Sequence, residues 1–211
     1  RVIDETTGIQ TIFQMQKLVE MVRAHGLVPE EEILDPYGYK DIYNERLMVP
    51  VNERIAQLES GAMTVEQATL RGALDFVRML RDKGVRLYVL SGTDREDVRN
   101  EAAKVGAAPY FDEIWGAVRS IEEYSKEKVL KEIIAAHQLH GTEVMTVGDG
   151  PVEIRNGKEN GCIAIGVASN EVAGHGWDEH KRERLIRAGA DILIPDFAEG
   201  SALLNYLFPT S

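Results

Sequence analysis

Cysteine is almost missing from this chain of 211 residues, with Cys162 the single example. An internal disulfide is therefore excluded, and the lone thiol fits a reducing cytosol, so a cytoplasmic protein is the expectation. Long apolar runs are missing as well, which excludes a membrane-spanning helix of the usual length. No charged-then-apolar leader opens the sequence, and there is no internal repeat or low-complexity linker. Positive charge is scarce: 24 Lys and Arg face 35 Asp and Glu, a formal net charge of -11. Such a chain repels a nucleic-acid backbone unless its cations cluster. The densest basic run, Lys181, Arg182, Arg184 and Arg187, is broken by Glu183 and reads as a solvated helix face. The five histidines show no metal-ligand spacing. With nucleic acid and membrane set aside, a small molecule is the expected partner.

Enough apolar residues are present, 44% of the chain, to bury a real core. Their spacing divides the sequence in two. Up to about residue 67 the period is helical: Ile12, Met15, Val19 and Val22 fall three and four apart. A second helical stretch through Ile42, Leu47, Val51 and Ile55 is expected to be interrupted near Pro50. Thr64 and Gln67 have the spacing of a capping box. From about residue 68, helices alternate with short apolar strands, expected over 86–90, 144–147, 163–167 and 192–194, with a strand or turn over 114–118. That alternation predicts an α/β fold, a parallel sheet covered on both faces. Ligands of such sheets bind beyond the carboxyl ends of the strands, just after Leu90, Val147 and Val167.

Chemistry-bearing residues stand at those ends. Ser91-Gly92-Thr93-Asp94 offers hydroxyl and amide donors at a helix start, a place that suits an anion or a simple helix cap. Asp149 and Glu153 lie four residues apart after a buried strand. Two such carboxylates can share a hard cation, with magnesium the expected ion, or can act as a turn residue and a helix-start acid. Ser125-Lys126 opens another helix between them. No glycine-rich phosphate cradle follows the first visible strand, which argues against a flavodoxin-like nucleotide binder.

In this order, Ser91, Lys126 and Asp149 with Glu153 resemble the second, third and fourth motifs of the haloacid dehalogenase-like superfamily. The phrases at 90–94, 148–154, 166–169 and 187–197, and Thr7-Gly8-Ile9-Gln10-Thr11-Ile12, resemble a bacterial subgroup of its phosphatases, some fused to carbohydrate kinases. The resemblance spans nearly the whole chain. It implies a Rossmann-like three-layer α/β/α core over residues 68–211 with an inserted helical cap over 1–67. It implies a magnesium-dependent phosphomonoester hydrolase that works through an aspartyl-phosphate on a small phosphorylated metabolite, possibly a sugar phosphate. Ser91 and the Gly92 amide would hold phosphoryl oxygens, Lys126 would offset charge, and Asp149 and Glu153 would serve the metal. Thr93, Gln10 and Thr11 are further substrate-contact candidates, with Gln14, Tyr37, Lys40 and Tyr43 also facing the choice of surface or substrate. A phosphomutase or dehalogenase of the same fold, or a phosphate-binding module without turnover, are the other readings. The acidic pair argues against the dehalogenase.

One motif of the superfamily is not found: a strand ending in Asp-x-Asp, which carries the nucleophile. Asp4-Glu5-Thr6-Thr7-Gly8 is the nearest stretch, but only Val2 and Ile3 precede Asp4, and Thr6 stands in place of the second Asp. The first core strand and its nucleophile are therefore expected upstream of Arg1. Without that strand, its neighbours would leave backbone groups unpaired in the core.

Overall fold

The computed structural model describes residues 10–118 and 124–209. Asp4 and the remainder of its stretch lie outside the described residues. Helix α1 (Thr11–His25) buries Ile12, Met15 and Val19 along one stripe and ends at Gly26, which takes a left-handed φ of 68°. Helix α2 (Pro36–Ser60) starts where the Asp35 carboxylate accepts the Gly38 amide at 2.8 Å. It runs through Pro50 without a break, against the expected interruption. A proline there removes only one amide, and Pro50 and Arg46, four residues before it, are both exposed, so the freed acceptor lies on the solvent side. The capping box of Thr64 and Gln67 forms as expected and opens the short α3 (Val65–Ala68).

The alternating half begins with α4 (Ala73–Asp82), whose Phe76 and Leu80 are buried. Then follow β1 (Tyr88–Asp94), α5 (Arg95–Lys104), β2 (Glu113–Ala117), α6 (Lys126–Ala136), β3 (Met145–Gly148), α7 (Pro151–Glu159), β4 (Ile163–Val167), α8 (Glu179–Ala188), β5 (Ile192–Ile194) and α9 (Gly200–Leu207). The strand pairings between these elements are parallel. β1 continues past its expected end, because residues 91–94 stay extended beside β2 with an irregular register between Leu90 and Asp94.

The sheet comes in two pieces among the described residues: β1 with β2, and β3-β4-β5. Between them lies a cavity of about 940 Å³, walled by Val85–Leu90 on one side and Val144–Val147 on the other. Phe76 and Leu80 of α4 close one face, and Leu130 and Ile133 of α6 close the opposite face. Val147, in the middle of a strand, is consequently 43% exposed. The densest core sits beyond β3, where Ile154, Ala164, Ala168 and Leu185 are wholly buried. A second cluster, Phe76, Leu80 and Leu204, touches both Leu87 and Met145 and so joins the two pieces.

The helical part meets the alternating part through polar contacts. Lys40 Nζ lies 2.6 Å from Asp94 Oδ1, and Asn44 Nδ2 donates to Asp94 Oδ2 at 3.2 Å. Lys104 pairs with Glu59 further along α2. Among the described residues no helix is long and apolar enough to cross a membrane.

Candidate active site

The end of β1 and the first turns of α6 and α7 are linked through side chains. Lys126, in the first turn of α6, forms an ion pair with Glu153, in the first turn of α7. Their side chains are only 14% and 18% exposed, and both line the cavity. The other Glu153 oxygen, Oε2, is buried with no hydrogen-bond partner among the described residues. Two glycines make room for this carboxylate. A Cβ on Gly150 would lie 2.5 Å from Glu153 Oε2, and one on Gly148 would lie 2.8 Å from Glu153 Cβ. The Gly148-Asp149-Gly150 sequence is thus a steric requirement of where Glu153 sits.

Ser91 is half-buried, and its Oγ accepts the Thr93 amide at 3.1 Å. As an acceptor there, the hydroxyl keeps its proton to donate elsewhere. The Ser91 carbonyl accepts the Tyr124 hydroxyl at 2.7 Å, and the charge of Glu153 is close enough to act on that phenol. Tyr124 therefore connects the Ser91 end of β1 to the Lys126–Glu153 pair. Gly92 lies in the stretch of irregular register next to it.

Asp149 is placed differently. Its side chain is 64% exposed, lies 3.6 Å from Lys181 Nζ, and opens onto a second cavity of about 1310 Å³ that also meets Asn170, Glu171 and His175. Lys181 in turn holds Glu171 at 2.5 Å. Burial pulls the Lys181 pKa down, but the Glu171 bond and the charges of Glu171, Asp149 and Asp178 outweigh it and hold the ammonium above its usual range. Gln10 is 6% exposed, and its amide donates to the Tyr124 carbonyl. Thr11 is the half-buried first residue of α1.

The haloacid dehalogenase-like hydrolase family matches residues 15–161. The chain belongs to this family. Copper-transporting ATPases of Helicobacter pylori are similar to it, one at 25% identity over 146 residues, which is 68% of this chain and 18% of the ATPase. A phosphoglycolate phosphatase of Synechococcus elongatus is 24% identical over 123 residues, 58% of this chain and 53% of the phosphatase. The chain thus spans about a fifth of the ATPases and about half of that phosphatase. Among solved structures, a predicted phosphoglycolate phosphatase from Haemophilus somnus superposes over 96% of this chain and 81% of its own, with a TM-score of 0.64 at 15% identity. That likeness extends the hydrolase fold over the helical part as well as the alternating part.

Two residues of this region escape a reading of the sequence. Lys181 looks like one cation on a solvated helix face, yet it is only 22% exposed and is bound by two acids, one of them Asp149. Glu171 and Asp149 stand 10 and 32 positions before it, and no local pattern links them. Tyr124 carries no motif of its own beyond standing before Ser125-Lys126, and its partner Ser91 is 33 positions away.

Proposed function

We propose that the chain forms the larger part of a magnesium-dependent phosphomonoester hydrolase for a small phosphorylated metabolite, with residues 1–67 as the cap and 68–211 as the core. The observation that carries this reading is the buried ion pair of Lys126 with Glu153, whose second oxygen has no partner among the described residues, next to a segment whose Tyr124 hydroxyl holds the Ser91 carbonyl. A hydroxyl with a free proton, an ammonium and a hard anionic oxygen are the groups a phosphate monoester and its counter-cation require.

The acids suit magnesium, which takes oxygen ligands and is commonly held by one or two carboxylates plus water and phosphate. Glu153 Oε2, buried and unpartnered among the described residues, would be the oxygen turned toward the ion, and Asp149, which stands in solvent beside Lys181, would join it only after leaving that lysine. When bound, magnesium would supply charge neutralisation to the phosphoryl group. The Ser91 hydroxyl and Gly92 amide bind phosphoryl oxygens, and Lys126 offsets the charge that accumulates between phosphate and nucleophile. The nucleophile is an aspartate at the carboxyl end of a strand that fills the 940 Å³ cavity between β1 and β3, where Lys126 and Glu153 form the wall. Its carboxylate displaces the ester oxygen at phosphorus while the second Asp of that motif protonates the departing alcohol; the same acid takes a proton from the water that then splits the aspartyl-phosphate to free phosphate. The cap and the larger cavity at Asp149 exclude water and receive the leaving group. A cytoplasmic location goes with this reading.

Phosphate release from a panel of small phosphate esters tests it on the full-length protein, with and without magnesium. Turnover is expected only with the metal, and Lys126→Ala or Asp149→Ala is expected to abolish it. Full activity in both variants would sink the assignment. Phosphoryl exchange between two positions of one sugar, with no free phosphate, would make the protein a mutase.

A further inference from the structure

We propose that Tyr124 is a positioning residue for phosphate binding, fixing the Ser91 end of β1 against the start of α6. The inference rests on the phosphatase reading above and adds to it a residue that neither the motif order nor the spacing of acids singles out.

The argument begins with the backbone. β1 pairs with β2 through Tyr88, Val89 and Leu90, then resumes at Asp94. Across the irregular register, Ser91 has no strand partner among the described residues, so its half-buried carbonyl takes another donor. The Tyr124 hydroxyl supplies it at 2.7 Å. Tyr124 is itself 1% exposed, packed in one cluster with Ala117 and Val129 and against Leu90 and Trp115. Its ring therefore cannot swing without opening that cluster. Its own carbonyl accepts from Gln10, at the entrance to α1. One residue thus ties three segments: the start of the helical part, the anion-holding end of β1, and the turn that presents Lys126 two positions later.

The chemistry suits a fixed donor. Burial pushes the phenol far above its ordinary range, the Arg95 charge pulls it back, and the Glu153 charge raises it further. The hydroxyl thus keeps its proton throughout the neutral range. Tyr124 does not touch the phosphate. It acts by setting the Ser91 backbone, and through it the direction in which the Ser91 hydroxyl and Gly92 amide face.

Tyr124→Phe keeps the ring and removes only the donor. Isothermal titration of inorganic phosphate into full-length protein, without substrate, reads the effect. The wild type is expected to bind, Lys126→Ala to bind much more weakly, and Tyr124→Phe to bind about fivefold to tenfold more weakly, as loss of one partly buried hydrogen bond implies. With a phosphate ester, the same variant is expected to raise KM by a similar factor. If the wild type binds no phosphate and Lys126→Ala changes nothing, the phosphatase reading itself fails. If Lys126→Ala weakens binding while Tyr124→Phe matches the wild type, the Tyr124 proposal alone is overturned. Should Tyr124→Phe not fold, 3-fluorotyrosine at position 124 retains ring and hydroxyl. Its fluorine resonance is expected to shift on saturation with phosphate, and an unmoved resonance would overturn the proposal.

Discussion

Gly150 and Gly148 flank Asp149, and both exist to let Glu153 fold back over the loop, but a methyl group would act differently at each. At Gly150 the nearest atom is the free end of Glu153, Oε2 at 2.5 Å. The carboxylate can move aside, at the cost of its ion pair with Lys126. At Gly148 the nearest atoms are Glu153 Cβ and Cγ, at 2.8 and 2.9 Å, which cannot move without the helix. Gly150→Ala is therefore expected to cut phosphate release at least tenfold with a nearly unchanged melting temperature. Gly148→Ala is expected to lower stability by about 1–3 kcal/mol, the range for overpacking. Thermal melts beside activity assays check both, and a stable, fully active Gly150→Ala would show that the Glu153 position does not matter. The sequence makes the acids visible here, since a strand end followed by Gly-Asp-Gly and a helix-start Glu is a local pattern. It does not reveal that one acid is buried against Lys126 while the other stands in solvent beside Lys181, because those partners come from α6 and α8.

Elements of the alternating half are held in register by side chains that reach backbone groups of a neighbour. Asp191, just before β5, accepts the Ala164 amide of β4 at 2.8 Å and the Lys158 ammonium of α7 at 2.6 Å. The Lys158 bond and then the Ala164 amide hold the Asp191 carboxyl below its usual range. A depressed folded pKa means that this contribution is fully present above the unfolded value, about pH 4, and is lost as pH falls through the folded one. The side chain is 39% exposed, so screening keeps the effect modest. Asp191→Asn is expected to cost about 1 kcal/mol near neutrality, and the gap from the wild type should close in urea melts at strongly acid pH. An equal gap at both pH values would remove the charge from the explanation. The contact between α7 and β3 is tighter still. A Cβ on Gly157 would sit 2.1 Å from Thr146 Oγ1 and 3.0 Å from its Cγ2. Gly157→Ala should lower the melting temperature by several degrees, consistent with about 1–3 kcal/mol of overpacking, and an unchanged melt would mean the helix can lift from the sheet freely. Most element positions were legible because burial imposes its period on the chain. 163–167 and 192–194 match their strands residue for residue, and Ser125 caps α6 as its place before the apolar period suggests. The extension of β1 to Asp94 was not legible, since Ser-Gly-Thr-Asp has the composition of a turn, and only Asp94 of the four pairs again with β2.

On the scale of the whole molecule, the divided sheet is the feature with the largest physical consequence. Two parallel sheets face one another across an apolar cavity of about 940 Å³ at the centre of a three-layer fold. A parallel sheet covered on both faces owes its stability to continuous pairing and burial, and here β1 and β3 lack that continuity among the described residues. In the reading proposed above, a strand ending in Asp-x-Asp fills this cavity. The size and lining of the opening were beyond a sequence reading, because they depend on α4 and α6 staying in place on either side of it. The expected behaviour of the 211-residue polypeptide follows. Apolar walls such as Leu87, Val89 and Met145 should bind a hydrophobic dye such as anilinonaphthalene sulfonate in the native state, with fluorescence well above that of an ordinary folded protein. A polypeptide in which a further apolar strand fills the cavity should lose most of that signal, melt at a higher temperature, and protect the amides of β1 and β3 from hydrogen exchange. The dye and exchange measurements are independent, since one reads the side-chain lining and the other the backbone edges. If the 211-residue polypeptide binds no dye and already protects both edges, the cavity is closed in solution, and the nucleophile must be sought elsewhere than between β1 and β3.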